Sequence, residues 1–100
     1  MTPIHIQQAM DREGTAVCVY TKYDCRQCDM TKKTLTREGI VYTAVNVEED
    51  QTAYAYVTET LSRREMPVVI ASTPDGDEVW SGFQPAMIRA HITHRQDDAA

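Results

Sequence analysis

The stretch Ala16-Val17-Cys18-Val19-Tyr20-Thr21-Lys22-Tyr23-Asp24-Cys25-Arg26-Gln27-Cys28 decides how this chain folds. Its first six residues are β-branched, aromatic or small and carry no charge, which predicts a strand over 16–21 that is buried on both faces. Three polar residues then lead into two cysteines separated by two residues. Residues 29–38 are helix formers or neutral, with Asp29 early and Lys32, Lys33 and Arg37 later, the order a helix dipole favours. Gly39 stops that helix. Its N-terminus therefore falls at the cysteines.

Further along, residues 40–47 predict a second strand. Residues 50–62 predict a second helix in which Ala53, Tyr54, Val57 and Leu61 share one face. After the charged connection Arg63-Arg64-Glu65, Pro67 opens a third strand over 68–71. Thr73-Pro74-Asp75-Gly76 supplies a turn, and residues 78–80 return as a fourth strand in a hairpin. The last helix begins near Pro85 and runs through Ile88 and Ile92 to a polar end at Gln96-Asp97-Asp98. The order β-α-β-α-β-β-α belongs to the α/β class, with a four-stranded mixed sheet flanked by helices and strand-end loops gathered at one edge. Upstream, residues 1–14 read as an appendage to a single domain over 15–100. Ile4, Ile6, Ala9 and Met10 fit one face of a short helix, and the alternation at Ile4 and Ile6 fits a strand equally.

The 100 residues allow one modest core, and 42% hydrophobic with 25% charged residues is an ordinary globular balance. A net charge of −5 argues against nucleic-acid binding, which rests on clustered cations at phosphates. Apolar runs fall far short of a membrane span and no basic-then-apolar leader opens the chain, so the cytosol is the expected address; a monomer is expected. Three cysteines fit poorly with a secreted disulfide framework. In a reducing compartment a C-x-x-C pair reads as redox or metal chemistry.

The strand-to-helix context favours redox. A cysteine at a helix start feels unpaired N–H groups and the positive dipole end, and both stabilise its thiolate. Cys25, at the outer end, is the expected nucleophile. Cys28, one turn inward, is the expected resolving thiol. Lys22 and Arg26 add positive potential, although both also read as solvated surface. The competing zinc reading needs two further ligands, for which only the distant His91 and His94 offer a spacing; no metal is expected. Cys18, between Val17 and Val19, reads as a small core hydrophobe.

Val19-Tyr20-Thr21-Lys22 before Cys25-Arg26-Gln27-Cys28, then Met66-Pro67-Val68-Val69, then Trp80-Ser81-Gly82-Phe83-Gln84-Pro85, together resemble the glutaredoxin-like NrdH redoxins of the thioredoxin superfamily over about residues 16–95. That resemblance implies a thioredoxin/glutaredoxin-like fold and a dithiol–disulfide oxidoreductase. It also implies a cis Met66–Pro67 bond facing the cysteines, with the Met66 backbone pairing against a substrate strand. Lys22, Arg26, Gln27, Met66, Pro67, Trp80, Ser81, Gly82 and Phe83 are the expected substrate-binding residues. Trp80 and Phe83 read equally as core packing, and Ser81 and Gly82 as shaping a turn. No bound cofactor is implied beyond the redox-active pair. Electrons would pass from NADPH through thioredoxin reductase to ribonucleotide reductase or another protein disulfide. The alternatives are a glutathione-dependent glutaredoxin, disfavoured because Trp80-Ser81-Gly82-Phe83 replaces a glycine-glycine turn, and a non-catalytic redox sensor. The sequence departs from the family at Tyr23-Asp24, where proline is common, and at Gln84 and Ala86, where an arginine and an acid are frequent.

Overall fold

Ala16–Thr21 (β1) forms the centre of a four-stranded sheet and is buried at all six residues. The computed structural model describes residues 15–93; the expected appendage over 1–14, His94 and the polar end lie outside the described residues. The elements that follow β1 are Arg26–Arg37 (α1), Thr43–Asn46 (β2), Gln51–Ala55 (α2) continued by a wider π turn over Tyr56–Thr60, Val68–Thr73 (β3), Gly76–Ser81 (β4), and Pro85–Ile88 (α3) continued by a π turn over Arg89–Thr93. The strands lie in the order β2-β1-β3-β4. β1 runs parallel to β2 and antiparallel to β3, and β3 pairs antiparallel with β4. This is the expected mixed sheet.

Strand alternation sorts the core into two layers. Ala16, Cys18 and Tyr20 pack with Val57, Val68 and Ile70 on one face, which α2 covers. Val17 and Val19 pack with Leu35, Trp80, Ile88 and Ile92 on the other, covered by α1 and α3. Each such fully buried Val, Leu or Ile contributes about 1.5–3 kcal/mol relative to exposure. β1 belongs to both layers, which is why its sequence is apolar without alternation.

Two boundaries differ from expectation for local reasons. The second strand starts at Thr43, because Ile40 N–H closes the end of α1 on the Leu35 carbonyl at 2.9 Å, with Gly39 at φ 73° making the left-handed turn. Val41 is consequently exposed. On α2, Tyr54 points to solvent at 50% exposure. Ala53 and Val57 face the core as expected, with Leu61 and also Tyr56 packed against it, and Tyr56 meets Tyr20 with ring centroids 5.9 Å apart. Asp50 caps this helix by accepting the Ala53 N–H at 3.0 Å. The hairpin is longer than expected, with Thr73 paired to Gly76 across Pro74-Asp75. Thr73 Oγ1 donates to the Gly76 carbonyl at 2.9 Å and accepts the Asp75 N–H at 3.1 Å.

Candidate functional site

β1 ends at Thr21, and the chain turns through Lys22-Tyr23-Asp24 before α1 begins. Asp24 adopts φ 49°, in the left-handed region that aspartate tolerates better than most residues. Tyr23 N–H donates to Glu48 Oε1 at 2.6 Å, and Asn46 Oδ1 accepts the Glu48 N–H at 2.8 Å, so the loop after β2 braces the turn. This short, doubly anchored connection delivers Cys25 as the N-cap of α1.

Cys25 and Cys28 are joined in a disulfide with Cα atoms 5.2 Å apart. The Cys28 N–H donates to Cys25 Sγ at 3.1 Å, the bond an N-cap oxygen would ordinarily accept. A sulfur so placed is addressed by an orphan helix amide and by the positive end of a twelve-residue helix. Exposure is asymmetric: Cys25 is 8% accessible and Cys28 is sealed at 0%.

Across from the sulfurs, the Met66–Pro67 peptide is cis, and the Met66 carbonyl oxygen lies 3.8 Å from Cys25 Sγ. Pro67 uses its own carbonyl to accept the Gly82 N–H at 2.8 Å. Gln27 Oε1 accepts the Phe83 N–H at 3.0 Å, and Gln84 Nε2 donates to the Ser81 carbonyl at 2.7 Å. The turn after β4 is thereby tied to both the start of α1 and the proline. Gly82 is required there: its φ is 82°, and a Cβ would stand 3.0 Å from Gln27 Oε1.

A shallow groove of about 340 Å³ runs over Cys25, lined by Lys22, Arg26, Gln27 and Met66 together with Arg64 and Glu65. Of the expected substrate-binding residues, four line it. Trp80 does not: it is 2% exposed within the core under α3, because its strand position turns it to the face opposite the sulfurs. The Ser81 hydroxyl is buried, whereas Gly82 and Phe83 act through backbone contacts to Pro67 and Gln27. Arg64 and Glu65 belong to a charged segment that reads in sequence as a mere connection; its signal is its position directly before Met66-Pro67.

Cys18 is fully buried beside Tyr20, and burial pushes its thiol up to about 12, with a Tyr20 hydrogen bond opposing the shift. His91 stacks near Trp80, ring centroids 6.0 Å apart, in the layer that excludes Cys25 and Cys28. Among the described residues no cluster of three or more His, Cys, Asp or Glu side chains is positioned to hold a metal. No helix among them is long and apolar enough to cross a membrane.

The glutaredoxin family model matches residues 17–73. The chain is 39% identical over 72 residues to the glutaredoxin-like protein NrdH of Escherichia coli K12, covering 72% of this chain and 83% of that one. The structure of E. coli NrdH-redoxin, a glutaredoxin-like protein with a thioredoxin-like activity profile, superposes with a TM-score of 0.65 at 38% identity over 74% of this chain and 91% of that one. A glutaredoxin from Archaeoglobus fulgidus matches in fold, with a TM-score of 0.68 at 21% identity over 92% of this chain and 96% of that one.

Proposed function

The chain belongs to the glutaredoxin family, among its NrdH-like members, and from that premise we propose that it reduces protein disulfides with electrons supplied by thioredoxin reductase. The observation that carries this reading is the unequal accessibility of two bonded sulfurs at one helix start, Cys25 reachable from the groove and Cys28 sealed.

In the reduced protein the Cys25 thiolate attacks one sulfur of a target disulfide, and the other target sulfur leaves as a thiolate. The Cys28 N–H, 3.1 Å from Cys25 Sγ, stabilises the attacking charge before bond formation. Cys28 then loses its proton and attacks Cys25 Sγ within the mixed disulfide. The Cys25–Cys28 bond forms and the second target thiolate departs. Two electrons have moved to the target, and protons from solvent complete its thiols. The reductase, drawing on NADPH, returns the pair to its dithiol state.

The thioredoxin-like activity profile of E. coli NrdH-redoxin supports thioredoxin reductase as donor, and a class I ribonucleotide reductase is the acceptor this reading favours, in a reducing cytosol. A coupled assay of NADPH consumption tests it. Turnover of a disulfide substrate is expected with thioredoxin reductase and not with glutathione plus glutathione reductase. The reverse pattern would overturn the reading in favour of a glutathione-dependent glutaredoxin, and silence in both arms would favour a redox sensor.

A further inference from the structure

The chain is acidic overall, with a net charge of −5, yet the groove over Cys25 has the opposite sign. Lys22, Arg26 and Arg64 line it against the single carboxylate of Glu65. These cations come from two separate parts of the chain, the entry to α1 and the segment before Pro67, and converge only through the fold. None of the three is in an ion pair among the described residues. Asp29, which does pair with Lys32 at 3.8 Å, is not among the groove's lining residues. A cationic mouth on an anionic protein attracts anionic ligands and orients their approach.

We propose that this groove selects target disulfides carried on acidic peptide segments, with Asp or Glu side chains flanking the cysteine that Cys25 attacks. The inference rests on the disulfide-reductase reading and adds its substrate class. The occupant is a peptide because the groove extends along Arg64-Glu65-Met66 as well as over the sulfur. An extended peptide advances about 3.3 Å per residue, which puts carboxylates two or three residues from the target cysteine roughly 7–10 Å along the strand.

The test uses the full chain, reduced and freed of reductant, mixed with three disulfide-looped peptides that are identical except for Glu, Ser or Lys at the positions flanking one cysteine. Acid quenching and mass spectrometry give each oxidation rate; oxidised glutathione forms a fourth arm. At low salt the Glu peptide is expected to react roughly tenfold faster than the Ser peptide and the Lys peptide slowest, with the spread narrowing as salt rises. Charge reversal by Arg64→Glu is expected to lower the Glu-to-Lys rate ratio by a similar factor. Equal rates for all three peptides, or a ratio indifferent to both salt and Arg64→Glu, would overturn acidic selection while leaving the reductase reading intact. Oxidised glutathione outpacing every peptide would assign the groove to the tripeptide instead. Failure to reduce any disulfide would overturn both readings.

Discussion

Gln27 Oε1 accepts the backbone N–H of Phe83 at 3.0 Å although the two residues stand 56 positions apart in the chain. This one bond joins the segment between the two cysteines to the turn after β4, which itself reaches the Met66–Pro67 peptide through Gly82.

Removing the Gln27 acceptor by Gln27→Ala is expected to cost about 0.5–1.5 kcal/mol. Gly82→Ala places a side chain at φ 82° and 3.0 Å from Gln27 Oε1, and the left-handed backbone alone costs roughly 1–2 kcal/mol. The double variant relieves the collision, so its loss falls short of the sum. Urea unfolding of the four proteins measures the cycle; strict additivity would show that the two residues do not meet.

Cys25→Ser is expected to abolish disulfide reduction, because the other two thiols, Cys18 and Cys28, are fully buried. With Cys28→Ser the first exchange proceeds and the second cannot, so a mixed disulfide with the target accumulates. Intact-protein mass spectrometry after mixing with a disulfide peptide distinguishes them. An adduct on Cys25→Ser in place of Cys28→Ser would reverse the assigned roles.

Cys18 makes alkaline stability asymmetric. Its folded-state thiol is raised from 9.0 to about 12 by burial, so the unfolded chain ionises first. The stabilisation is complete below about pH 9 and is lost as pH rises toward 12, at up to about 1.4 kcal/mol per pH unit. Tyr20, raised by burial and by the nearby Cys18, adds the same sign at higher pH. Urea midpoints of the oxidised protein at pH 8 and pH 10 are expected to fall further for the parent than for Cys18→Ala. Iodoacetamide is expected to spare Cys18 until the chain unfolds.

Trp80 serves packing, so Trp80→Ala is expected to lose about 3–5 kcal/mol. Trp80→Phe keeps a ring in the layer and removes a buried indole N–H that has no acceptor among the described residues, so its cost is smaller. Thermal unfolding ranks the two. A correctly folded Trp80→Phe that has lost peptide reduction would return this residue to the substrate surface.

The parts of the molecule that were legible beforehand rest on short-range chemistry. An uncharged β-branched run gave β1, and two cysteines ahead of a helical stretch ending in Gly39 located the start of α1. The motif resemblance supplied the cis Met66–Pro67 bond, which composition does not. What sequence missed depends on distant partners. Tyr54 and Tyr56 compete for one helix face, and Tyr20 on β1 decides between them. Trp80 is an aromatic beside a turn in sequence, but strand parity turns it inward. Arg64 joins the groove through the fold, since nothing local distinguishes it from a solvated connector.

β1 is sealed along its length and hydrogen-bonded on both sides, whereas β2 and β4 form the sheet edges. Amides of such a central strand exchange with solvent only in the rarest openings, while edge strands and helix ends breathe more often. The reactive sulfurs follow, after a three-residue turn, one of the two internal strands, which are expected to be among the last parts of the molecule to come apart. Fraying at either edge can therefore admit water or a partner without dismantling the dithiol, and loss of redox competence should coincide with global unfolding.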